Sequence, residues 1–127
     1  MPLNKSTEAK NAACNAIVDM IDDGSSMPYG TLRIFDSSSN LISSLRLSNP
    51  AFNDAIDGTS TVDFIYDSTA VADGTASEFG FYNRDSTWIW GGDITLPGNG
   101  GVMELSSLSI PTDTTISISS PVRYIVP

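Results

Sequence analysis

The sequence predicts a mainly β protein: an antiparallel β-sandwich of about seven or eight short strands with one N-terminal α-helix packed against it. Three observations carry this prediction. Helical spacing of apolar residues occurs once, before Gly24. After it, short alternating runs are separated by Gly, Pro, Asn, Asp and Ser clusters roughly every eight to twelve residues. Finally, the stretch 75–94 reads as a hairpin, with Phe79 and Phe81 two apart, Trp88 and Trp90 two apart, and the polar run Asn83-Arg84-Asp85-Ser86-Thr87 between them.

The elements follow in order. Residues 1–5 form a short arm. Ser6 or Thr7 caps a helix over 7–23, with Glu8 in the first turn, where the helix dipole favours an anion. Ala9, Ala12, Ala13, Ala16, Ile17, Met20 and Ile21 recur at three- and four-residue spacing and form the predicted packing stripe, and Gly24 ends it as a left-handed cap. Asp19, Asp22 and Asp23 crowd the last turn, where the dipole disfavours anions by about 0.3–1 kcal/mol each. That conflict makes them candidate protein-interface residues; the bland alternative is a solvated acidic face.

The β region spans 31–126. Thr31 to Asp36, with Leu32 and Ile34 inward, and Leu41 to Leu47, with Leu41, Leu45 and Leu47 inward, make a hairpin across Asp36–Asn40. Pro50-Ala51-Phe52 breaks the strand, and Phe52 anchors the corner. A third strand runs from Thr59 to Tyr66. In the aromatic hairpin, pairing Phe81 with Trp90 across a loop built on a type I turn places Phe79, Phe81, Trp88 and Trp90 on one face as core aromatics. Four such rings contribute about 6–12 kcal/mol as an upper bound, so that face must be covered. Gly91-Gly92 marks a bulge or a close backbone approach. Val102 to Ile110 adds a strand or two. Thr115 to Val126 closes the chain, with Ile116 and Ile118 on one face and Pro121 holding part of it at an edge; Tyr124 and Val126 are further candidate interface residues.

Composition narrows the function classes. At 127 residues the chain fits a single domain, 1–127. A formal charge of −9, with six basic residues scattered singly, argues against a nucleic-acid surface. There is no histidine, which removes the usual general base and the commonest metal ligand. Cys14 is alone, so no internal disulfide is expected, and it reads as a small buried core residue. No apolar run approaches the ~20 residues that span a bilayer and no hydrophobic signal region opens the chain, so a soluble protein made in the cytoplasm is expected, with no membrane partner.

No catalytic, cofactor or metal site is predicted. Glu78 with Glu104 or with Asp93 has the makings of a glycosidase pair, against which stands the ordinary reading of solvated strand carboxylates. Asp54-x-x-Asp57-Gly58 and Asp67-x5-Asp73-Gly74 are oxygen-rich enough for calcium loops but lack the alternating ligands of an EF-hand, and aspartate before glycine reads first as a turn. The indoles of Trp88 and Trp90 are a sugar platform only if their face is exposed; core packing is the expectation.

The opening helix T-E-A-K-N-A-A-C-N-A-I-V-D-M-I-D-D-G, the strand G-T-L-R-I-F-D, the corner L-R-L-S-N-P-A-F, the later G-T-A at Gly74 to Ala76 and the ending I-V-P together resemble a family of small tailed-bacteriophage virion structural proteins, over nearly the whole length. The resemblance implies no catalytic residues. It implies a virion component: a capsid decoration or cement protein that binds the outer surface of the assembled head, stabilises contacts between major capsid protein subunits, and forms a homo-oligomer, dimer or trimer, on the particle. A tail or baseplate structural protein is the alternative, and a carbohydrate-binding module on the virion surface the second.

Overall fold

The computed structural model describes residues 4–118 and 122–125. Helix α1, Thr7–Asp19, starts at Ser6, whose hydroxyl accepts the Ala9 N–H, and tightens into a 3-10 turn over Met20–Asp22. Gly24 follows with φ 121°. Among the described residues eleven strands come next: β1 Thr31–Phe35, β2 Leu41–Arg46, β3 Thr59–Thr61, β4 Ser68–Thr69, β5 Gly74–Thr75, β6 Glu78–Tyr82, β7 Trp88–Thr95, β8 Met103–Glu104, β9 Ser109–Ile110, β10 Thr115–Ile116 and β11 Arg123–Ile125. The protein is mainly β, as the sequence predicts, with a curled five-stranded sheet in the order β2-β1-β6-β7-β8. Three two-stranded pieces, β10-β4, β11-β3 and β5-β9, complete a sandwich-like body.

Period two explains the large sheet. Leu32, Ile34, Leu45, Phe79, Phe81 and Ile94 point to one face and are buried. Ala70, Ala76, Ile110, Ile116 and Val122, on or beside the small pieces, close over them in one continuous core. Phe52 seals the centre, its ring 5.1 Å from that of Phe81 and 6.0 Å from that of Trp90, and enters from a corner with a cis Asn49–Pro50 bond. Each fully buried side chain of this kind contributes about 1.5–3 kcal/mol.

Several expectations are corrected. The helix packs on a face turned away from most of the predicted stripe and shares Ile21 with it. Cys14, Val18 and Ile21 are buried, while Ala9, Ala12 and Ala16 face solvent and Met20 is 43% exposed. The face that packs continues through two asparagines: Asn11 Oδ1 accepts the Gly58 N–H and Asn15 Oδ1 the Ala55 N–H, both at 2.8 Å. A loop whose N–H groups find no strand partner must take acceptors from elsewhere, and these amides supply them. Alanine, the best helix former, serves equally well on the solvent side.

Two β-bulges redirect side chains. Between β1 and β2 the register runs Ile34↔Ser43 and then Phe35↔Leu41, so Ile42 turns inward and Leu41, predicted inward, is 38% exposed. Between β6 and β7 it runs Phe81↔Trp90 and then Tyr82↔Trp88. Phe79 and Phe81 are buried and Trp90 packs against them, but Trp88 is carried to the other face and is 60% exposed, so it is not a core residue. The third strand is shorter than predicted: β3 keeps three residues, with isolated bridges Phe52↔Val62 and Leu47↔Ile65 around it. The β7–β8 pair is parallel, because Gly98 and Gly100, at φ 85° and 81°, let the chain double back within the 96–102 loop. Val126, Pro121 and the first residues of the arm lie outside the described residues.

Candidate functional site

The bulge that turns Trp88 outward also builds a groove on the outer face of the large sheet. Register places three cross-strand rows there: Thr31, Tyr82 and Trp88; Arg33, Gly80 and Gly91; Phe35, Glu78 and Asp93. The middle row contributes no side chain from β6 or β7, so the backbone forms the floor of a trough of about 510 Å³. That size is within the usual range for small-molecule sites. Trp88 and Tyr82 stand at one end of the trough and Glu78 and Asp93 at the other. Four residues of strand separate the ends, about 13 Å.

The floor depends on glycine. A Cβ at Gly80 would lie 2.9 Å from Trp88 Cδ1 and 3.0 Å from Tyr82 Cε1, so the indole lies down across this position. At Gly91 a Cβ would come 2.1 Å from the Phe79 carbonyl oxygen, and no side chain fits there without backbone movement. Gly91 is therefore the close approach that the Gly91-Gly92 pair predicts.

Around the trough the side chains are held. Arg33 stacks its guanidinium over the Tyr82 ring at 4.3 Å while its Nη2 donates to Ser86 Oγ at 2.8 Å. Phe35 and Tyr82 rings are 6.2 Å apart. Asp93 Oδ1 accepts the Val102 N–H, and Glu78 Oε1 accepts from Ser39 Oγ. Glu78 and Asp93, considered as a pair from the sequence, are direct cross-strand partners, with Cβ atoms about 4.5–5.5 Å apart in such pairs. Glu104 stands opposite Thr95 in β7, and its Oε2 accepts the Gly98 N–H.

A second surface lies on the opposite side of β7. The β11 strand pairs only with β3 among the described residues, and the groove beside it, about 270 Å³, is lined by Trp90, Gly91, Val102, Arg123, Tyr124 and Ile125. Tyr124 is half-buried, its ring 5.0 Å from that of Trp90, whereas Ile125 is 67% and Val102 46% exposed. The buried Trp90 Nε1–H has no hydrogen-bond partner among the described residues.

The predicted acidic cluster at the helix end divides. Asp19 and Asp23 are exposed, and the Asp23 carbonyl accepts the Arg84 N–H. Asp22 is half-buried and accepts the Ala51 N–H at 3.0 Å. Burial raises its carboxyl above the ordinary aspartate value, opposed by that hydrogen bond and by Arg84, and reinforced by Asp19 and Asp23. Asp22 thus works inside the fold, holding the Phe52 corner to the helix. Nearby, Asp85 Oδ1 accepts both the Ser25 and Ser26 N–H groups, fastening the aromatic hairpin's tip to the helix exit.

The two loops weighed for calcium have structural uses. Asp57 and Gly58 take φ of 53° and 76° in a turn. Asp73 Oδ1 accepts from the Thr112 N–H and hydroxyl. Cys14 is buried, and burial raises its thiol.

Sequence reasoning missed the trough. The signal was present, because the predicted Phe81–Trp90 register also sets Gly80 opposite Gly91 on the other face. A scan against protein-family models, a search of curated proteins and a search of solved structures each return no match.

Proposed function

We propose that this protein is a phage capsid decoration or cement protein, attached to the outer surface of the assembled head and stabilising contacts between major capsid protein subunits as a dimer or trimer. The order and spacing of the segments that resemble phage virion proteins support this reading. The observation that carries it is the edge of β11 that pairs with no other strand among the described residues, where Ile125 and Val102 project beside a groove floored by Trp90 and Tyr124. An extended segment of a partner adds to such an edge through main-chain hydrogen bonds and sets apolar side chains in the groove.

Charge sets the character of the bond. A chain of formal charge −9 meets a less acidic or locally basic patch, because like charges brought together and desolvated cost several kcal/mol. Attachment through strand edge and apolar contact then weakens only modestly with salt.

The experiment mixes purified protein with heads lacking it, with immature shells and with isolated tails over a range of ionic strength. Binding to mature heads, surviving high salt and abolished by Ile125→Asp in a variant that still folds, is the expected result. Preference for tails, or tail-like copy number in purified virions, replaces this reading with a tail or baseplate component. Absence of binding to every head form overturns it.

A further inference from the structure

We propose that the glycine-floored trough between the Tyr82–Trp88 row and the Glu78–Asp93 row is a glycan-binding site, taking a saccharide of more than one pyranose ring. This inference is independent of the head-binding reading, whose groove shares only Gly91 with the trough.

The chemistry follows from what lines the trough. A pyranose presents an apolar C–H face and a rim of hydroxyls, so its site needs an exposed aromatic ring beside hydrogen-bonding groups. Trp88 supplies the ring: it is 60% exposed and lies across Gly80. Glu78 and Asp93 supply acceptors at the far end, each already tethered through one oxygen, Glu78 to Ser39 and Asp93 to the Val102 N–H. An acceptor-only carboxylate matches the donor character of sugar hydroxyls. The separation of about 13 Å between the two ends exceeds one ring, so stacking at Trp88 and hydrogen bonding at the carboxylates engage different residues of the saccharide.

The rival occupant is an organic cation, since aromatic rings beside carboxylates also describe an ammonium site. The arrangement of Arg33 argues against it. Its guanidinium, beside the trough, occupies the Tyr82 ring at 4.3 Å and is held there by Ser86, so one aromatic face is already taken by a cation. A wholly apolar ligand would leave the second oxygen of each carboxylate facing it without a donor.

The construction also gives the test its controls. Gly80 is a floor position where the three atoms nearest an added Cβ all belong to the Trp88 and Tyr82 rings, so Gly80→Val displaces the platform. Trp88 is 60% exposed and stacks on no aromatic ring among the described residues, so its removal is expected to leave the fold intact.

The experiment has two arms on the full chain. Soluble hexasaccharides of glucose, mannose, galactose and N-acetylglucosamine are titrated while indole fluorescence is followed, and an array of immobilised bacterial polysaccharides distinguishes free sugars from cell-surface polymer. The expected result is binding to at least one pyranose-containing probe, weakened by about tenfold or more in Trp88→Ala and in Gly80→Val. Glu78→Gln, which keeps an acceptor, binds more tightly than Glu78→Ala. Thermal unfolding of Trp88→Ala stays near that of the parent, which separates lost binding from lost fold. No binding on either arm, binding indifferent to Trp88→Ala, or a preference for tetramethylammonium or a lysine peptide that fades with salt overturns the proposal.

Discussion

Truncating Trp90 to alanine tests the inner architecture directly, because this one side chain bridges the sheet, the Phe52 corner and β11. Its ring centroid lies 4.7 Å from Phe81, 5.0 Å from Tyr124, 5.8 Å from Phe79 and 6.0 Å from Phe52. Removing a fully buried aromatic costs about 3–5 kcal/mol, including the cavity left, and Trp90 is only partly buried among these rings. One term works the other way: the indole N–H is buried without a partner among the described residues, and an unsatisfied donor costs about 1–3 kcal/mol. The loss on truncation therefore sits toward the lower end of that range, and Trp90→Phe, which keeps most of the ring contacts and discards the N–H, loses less than about 1.5 kcal/mol. At about 3–5 °C per kcal/mol for a chain of this length, Trp90→Ala lowers Tm by roughly 10–20 °C. Trp88→Ala, on the outer face, stays within about 0.5–1 kcal/mol of the parent. Calorimetry on the three variants decides: equal losses at positions 88 and 90, or an unmoved Tm in Trp90→Ala, would refute the assignment of the two indoles to opposite faces.

Other perturbations probe the bulge and the carboxylates. Ile42→Ala costs about 2–5 kcal/mol in denaturant unfolding while Leu41→Ala is near neutral, and the reverse order would remove the β1–β2 bulge. Asp22 has a folded-state carboxyl raised by burial, so it opposes folding above its unfolded value of 3.8, and the penalty grows as pH rises from there through the folded value. Asp22→Asn keeps an acceptor for Ala51 and is therefore more stable than the parent at neutral pH, the gain vanishing in acid below the unfolded value; a gain that persists there would contradict this. Asp36, Asp73 and Asp85 have the opposite sign. Hydrogen bonds from Asn40, Thr112 and Ser25 respectively lower them, so their contribution is complete above the unfolded value and is lost as pH falls through the folded one. An acid titration of stability is expected to be less steep in Asp85→Asn than in the parent.

Much of the fold was legible because alternation and turn chemistry are local. Leu32 and Ile34 inward, the Asp36–Asn40 turn, the Phe52 anchor and the Phe81–Trp90 register all follow from residues close in sequence. The helix phase was not. Seven apolar residues outvoted Asn11 and Asn15 in the periodicity, yet the asparagines face inward because the 55–58 loop presents N–H groups that need acceptors. That demand comes from a segment more than thirty residues away in the chain, and no helical pattern encodes it. Leu41 and Trp88 failed for a shared reason: each lies just beyond a bulge, where the period of two changes phase. In the candidate sites, Tyr124 falls beside the β11 groove and Asp22 inside the fold, and neither position is set by its neighbours in sequence.

The phase change on β7 matters for more than prediction. Without the bulge, Trp88 and Trp90 would share the inner face, and the covering layer would have to accommodate a fourth large ring. With it, Trp90 completes the core and floors the β11 groove, while Trp88 stands over Gly80 and Gly91 on the far side. One extra residue in one strand thus gives β7 two chemically distinct faces. The glycines make the outer one possible: Gly91 admits no Cβ against the Phe79 carbonyl, and Gly80 leaves room for the indole to lie down. A strand that only had to close a core would gain nothing from two adjacent strands with side-chain-free positions, since glycine weakens a sheet by about 0.5–1 kcal/mol at each relative to alanine. Their placement opposite one another, beneath the most exposed aromatic ring of the sheet, is the feature that the core does not require and the trough does.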